Sequence, residues 1–182
     1  MPYSRNPFGA GFAAITIAIL FGYYLPTFNL PKFDFNVLHG AVLLGHPAVR
    51  APERLVEAEF VTTLDLQILG AVFSYFIFAV LLAYFYAYVF YPAIPGENVA
   101  SNILKGLMFG FGLFLLYDAL IFNRIFDFGP FFTDVEDSKL IEALGPPDVH
   151  KHWRWAIASL LFFVFYGMML GLFYNPKPKE QQ

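Results

Sequence analysis

Residues 102–122, NILKGLMFGFGLFLLYDALIF, decide how this chain folds. Crossing the hydrocarbon core of a bilayer takes about 20 predominantly apolar residues in a helix, and this run supplies them with only Lys105 and Asp118 charged. At about 100° per residue, Asn102, Gly106, Gly110, Leu113 and Tyr117 share one side of that helix. Gly106 and Gly110 form a GxxxG pair, the spacing that lets a second helix backbone approach closely. The stretch therefore sets lipid as the solvent and predicts a packed partner helix. Asp118 sits just off the stripe.

Three further runs have the same character. Residues 9–25 place Gly11, Ala14, Ala18 and Gly22 on one face, with Tyr23 and Tyr24 as interfacial aromatics. Residues 64–91 carry small residues at Ala79, Ala83 and Ala87, with Gln67, Gly70 and Ser74 on roughly the opposite face. Tyr84, Tyr86, Tyr88 and Tyr91 crowd the exit of that run as an aromatic belt would. Residues 153–174 align Trp153, Ala156, Leu160, Gly167, Gly171 and Tyr174, and Gly167 and Gly171 make a second GxxxG. The expected fold is an all-α membrane protein, one integral membrane domain over residues 1–182, with spans near 9–25, 64–91, 102–122 and 153–174.

Four spans put both termini on one side and both long connections, 26–63 and 123–152, at the interface on the other. The short PAIPGENVAS connection turns at Pro95-Gly96 and makes the second and third spans antiparallel neighbours. Within the first long connection, residues 37–44 are apolar but too short to span, so an interfacial or re-entrant piece is expected there. Glu53, Glu57 and Glu59 after Pro52 suit a helix that starts outside the membrane. In the second, SKLIEAL before Gly145-Pro146-Pro147 reads as a short amphipathic helix. Lys105, one turn inside its span, is expected to snorkel to the terminal side.

The bulk numbers agree with a membrane solvent. Of 182 residues, 58% are hydrophobic and 14% charged, where a soluble domain carries about 25% charge. With no cysteine there is no disulfide, no Fe–S cluster and no covalently attached c-type haem in this chain. A net charge of -3 and the lack of any basic run exclude a nucleic-acid footprint. Neither Walker A, GxSxG nor any kinase signature occurs.

The candidate chemistry lies in a few residues. His39, His46, His150 and His152 all fall in the two long connections, where they could approach one another and hold copper, iron or zinc. The simpler expectation is interfacial histidines bonded to loop carbonyls or a neighbouring subunit, because no complete ligand pattern accompanies them. Asp118, with Asp65, Gln67 and Arg154 near the same helix ends, could form a proton or ion site or touch a quinone head group. A structural pair of Asp118 with Arg154 or Arg124 is the expectation that needs less. Gly11, Gly22, Gly106, Gly110, Gly167 and Gly171 are expected to be helix-packing positions.

The reading that follows is an accessory or structural subunit of a larger membrane complex, in respiratory or photosynthetic electron transfer or another energy-converting assembly. Its expected partners are other membrane subunits and lipids, in the inner or cytoplasmic membrane if the source is prokaryotic. The alternatives are a small channel or transporter built on Asp118, and a metal- or quinone-dependent membrane enzyme using the loop histidines.

Overall fold

The computed structural model describes residues 6–30, 32–33, 35–36, 39–40, 63–96, 98–117 and 152–176, without the side chains of 63–66, 152, 153 and 155. The described residues are mostly helical and form no β-strand. Helix α1 is Pro7–Tyr24: Pro7 occupies the first turn, where its missing amide costs nothing, and the Asn6 side chain caps the amide of Phe8 at 3.0 Å. A 3-10 turn, Leu25–Phe28, ends it, and Asn29 takes a left-handed φ of 59° that returns its amide to the Leu25 and Pro26 carbonyls.

Helix α2 runs without a break over residues 63–93, alternating α-helical stretches with π-helical ones at Phe76–Leu82 and Tyr86–Phe90. Helix α3, Val99–Phe114, is started by Asn98, whose side chain accepts from the Ser101 amide at 2.7 Å, and its helical run continues to Tyr117. Helix α4 is His152–Phe173. Among the described residues, four helical segments are long and apolar enough to cross a membrane: Pro7–Phe28, Gln67–Ala93, Val99–Tyr117 and Ala156–Phe173. The third span starts three residues before the expected 102, because Asn98 supplies the cap.

The tightest seam joins α3 to α4 through their glycines. A Cβ on Gly106 would strike the Gly167 carbonyl, and one on Gly167 would strike the Gly106 carbonyl and lie 2.8 Å from the Gly110 Cα. Gly110 meets the Phe163 carbonyl and Gly171 the Asn102 carbonyl, so each GxxxG is the groove for the other. Helix α1 packs on α2, where a Cβ on Gly11 would come within 2.5 Å of Ala83 Cβ and 2.9 Å of Ala79 Cα.

The first long connection enters the bundle. The Phe33 amide donates to the Gly22 carbonyl at 3.2 Å, and Gly22 is small because the Phe33 carbonyl lies where its Cβ would be. Residues 35–36 and 39–40 are helical. They cross α2 at Gly70, whose missing Cβ makes room for the Asn36 carbonyl and the Gly40 amide, the latter 2.7 Å from the Cβ position. Phe35 is fully buried, with ring centroids 4.5 Å from Phe162, 5.0 Å from Phe78 and 5.7 Å from Phe163. Of the apolar piece expected at 37–44, only residues 39 and 40 are among the described residues, and they lie against α2 at Gly70 inside the bundle.

This segment alters the reading of α2. Ser74 and Ala79 would lie about 140° apart on a regular α-helix, yet both are fully buried. Ser74 faces His39 of the first connection and Ala79 faces α1, so both small-residue faces are filled by this chain itself. The π turns, which hold extra residues per turn, keep Phe78, Ala83, Tyr86 and Tyr91 directed inward as well.

The aromatic belt is consequently only half a belt. Tyr84 and Tyr88 are exposed, whereas Tyr86 and Tyr91 are buried and satisfy their hydroxyls on Asn102: Tyr91 Oη lies 2.9 Å from its side-chain oxygen and Tyr86 donates to its carbonyl at 3.5 Å. Lys105 also departs from its expected course. It points to the end of the bundle that holds the α2–α3 turn but is sealed there, 2% exposed, donating to the Gly96 carbonyl at 2.7 Å and the Tyr91 carbonyl at 3.2 Å. Its ammonium stands 3.8 Å from the Tyr91 ring centroid. Turn carbonyls and a ring face replace the water that snorkelling would have supplied.

Candidate functional site around His39

His39 is the one histidine whose side chain is described, and it lies inside the protein, 1% exposed. Two close backbone crossings position it, Phe33 on Gly22 and Asn36 on Gly70. Its Nδ1 and the Ser74 hydroxyl are 2.7 Å apart. Ser74 is seven residues into the span that begins at Gln67, roughly 10 Å along the helix at 1.5 Å per residue. The imidazole therefore stands beside the apolar part of α2.

Aromatic rings enclose it. Phe35 lies 4.1 Å away between centroids, Phe73 5.2 Å and edge-on, Phe78 and Tyr117 each 5.9 Å. Burial among aromatic rings disfavours the charged imidazolium, so the ring is neutral. A neutral imidazole has one donor and one acceptor nitrogen. Nδ1 is engaged by Ser74, while Nε2 is buried with no hydrogen-bond partner among the described residues. Asn36 Oδ1, one turn earlier on the same segment, and Ser159 Oγ on α4 are likewise buried and unpartnered. Leaving such an atom unsatisfied costs about 1–3 kcal/mol, so the group calls for a role.

The other candidates stand apart or undescribed. His46, His150 and Asp118 lie outside the described residues; His152 opens α4 and Asp65 lies in the first turn of α2, with side chains not described. No group of three or more His, Asp or Glu able to hold a metal occurs among the described residues. Half-buried Arg154 donates to the Asn29 side chain at 3.5 Å, one of its contacts, which ties the start of α4 to the end of α1. The sequence singled out His39 but not its partner. Ser74 was legible only as a small residue on α2, and nothing in the spacing links positions 35 residues apart.

Comparison of the chain with protein-family models, with curated proteins and with solved structures returns no match in any of the three.

Proposed function

We propose that this protein is an accessory, chiefly structural subunit of a larger membrane complex, of the energy-converting kind. The observation that carries the subunit reading is Gly112. Gly11, Gly22, Gly70, Gly106, Gly110, Gly167 and Gly171 are each opposed by atoms that leave no room for a Cβ, but Gly112, in the C-terminal half of α3, meets nothing within 4 Å among the described residues. A helix-interior glycine costs about 1 kcal/mol against alanine, and lipid tails give nothing back for it. A neighbouring helix would, by close approach. Met108, Phe111, Leu115 and Leu116 around it are all exposed. With the internal glycine faces already filled by the chain itself, this outward notch is where a partner subunit would pack.

The energy-converting part rests on His39. A neutral imidazole with an open nitrogen, set beside a membrane span, is a group that electron carriers use as a ligand or hydrogen-bond partner. A spacer subunit has no need of it. The inner or cytoplasmic membrane is the proposed location for a prokaryotic source.

The test is purification from native membranes in mild detergent. The chain is expected to migrate with other subunits, and Gly112→Leu to reduce their recovery severalfold while the chain itself stays folded. Recovery of the wild-type chain alone, with Gly112→Leu behaving identically, would contradict the proposal.

A further inference from the structure

We propose that Nε2 of His39 is the docking point for the oxygen of a lipid-soluble quinone or quinol head group, admitted from the lipid-facing side of α2 past the ring of Phe73. This deepens the energy-converting part of the preceding reading and is independent of the subunit part. Three observations carry it.

The first is the nitrogen itself, without a hydrogen-bond partner among the described residues and buried where two close backbone crossings hold the chain in place. The second is the wall. Phe35, Phe73, Phe78 and Tyr117 offer flat aromatic faces and edges, and no Lys, Arg, Asp or Glu is among the described groups in ring or hydrogen-bond contact with His39. Such a wall suits a neutral planar ring. A metal ion would need more ligands than one imidazole provides. Phe73 is half-buried and edge-on to His39, while Val72 and Phe76 beside it on α2 are exposed. Among the described residues Phe73 thus stands between the imidazole and the exposed face of α2, and the proposed route requires that ring to change rotamer.

The third is the Ser74 hydroxyl, which both donates and accepts. When Ser74 donates to Nδ1, Nε2 carries the proton and can donate to a quinone carbonyl. When Ser74 accepts from Nδ1–H, Nε2 is a bare acceptor for a quinol hydroxyl. The pair can therefore meet either form of a head group that changes from acceptor to donor on reduction. A side chain that can only donate, such as an ammonium, could not accept the quinol's O–H.

The test uses the full chain in lipid nanodiscs, with decylubiquinone and its quinol as probes, read by saturable binding and by the infrared carbonyl band of the bound quinone. Wild type is expected to bind saturably, with the carbonyl band lowered by hydrogen bonding. His39→Phe, which keeps a ring in the packing, is expected to lose about tenfold in affinity and the whole of the band shift, and His39→Gln to retain part of both. If His39→Phe does not fold, Ser74→Ala serves in its place, weakening binding severalfold and reducing the shift. Absence of saturable binding by wild type would overturn the proposal, as would an unshifted carbonyl band or wild-type binding by His39→Phe or Ser74→Ala. Because the chain is studied alone, failure here leaves the subunit reading standing, and failure to recover partner subunits leaves this site standing.

Discussion

Gly167→Leu is expected to separate α3 from α4 and give a protein that inserts but does not hold its bundle. The new side chain would start where the Gly106 carbonyl lies, and its Cβ position is 2.7 Å from the Gly110 amide and 2.8 Å from the Gly110 Cα. None of these is the flexible end of a side chain that could step aside. Overpacking costs about 1–3 kcal/mol where neighbours can yield, and backbone on both sides puts this substitution at the upper end, about 3 kcal/mol. The expected measurement is a large fall in thermal midpoint and yield in detergent, shared by Gly106→Leu and Gly171→Leu. Those two act on the same seam, since their Cβ positions meet the Gly167 and Asn102 carbonyls. The double variant should therefore cost much less than the sum of the singles, because the seam can be lost only once.

The second large effect is expected at Gly70. In an open helix Gly→Ala would stabilise by about 1 kcal/mol through helix propensity. Here the added methyl would occupy the place of the Asn36 carbonyl. The overlap outweighs the propensity gain, and Gly70→Ala is expected to release the described part of the first connection while α1 to α4 stay helical. Loss of the seat of Phe35 and His39 should cost about 1–3 kcal/mol. Hydrogen exchange at residues 35–40 is expected to rise with little change in helical circular dichroism. Gly112→Ala is the matched control: with nothing opposite among the described residues, it should be neutral or stabilise the isolated chain by up to about 1 kcal/mol.

These positions also show what the sequence could disclose. Gly106 and Gly110, with Gly167 and Gly171, are readable because GxxxG is a local pattern with a direct physical meaning, close backbone approach, and the structure sets the two pairs against each other. The four apolar runs are readable for a similar reason: length and composition alone measure whether a helix can cross hydrocarbon. The path of the first connection was not. Its anchor of Asn36 on Gly70 joins residues far apart in the chain, and neither Gly70 nor Gly22 gives a sign of which backbone will fill it. Tyr86 and Tyr91 misled because belt tyrosines and core tyrosines share a composition. The π stretches of α2, which turn them inward to Asn102, leave no mark in a pattern read at 3.6 residues per turn. Lys105 misled because snorkelling assumes water at the end of the side chain. The α2–α3 turn brings the Gly96 and Tyr91 carbonyls there instead. The site suffers from the same limit, since His39 alone was visible and Ser74, which orients it, belongs to another helix.

The described part of the first connection lies inside the helical bundle, with His39 against Ser74. The chain has no native cysteine, so the pair His39→Cys and Ser74→Cys can report on that placement alone. The two native side chains touch at 2.7 Å. Mild oxidation in membranes is expected to give an intramolecular disulfide joining the two sites, detected as a cross-linked peptide, with neither single variant open to a charged maleimide confined to water. Two cysteines that label freely and never cross-link would place the segment outside the bundle and contradict the account.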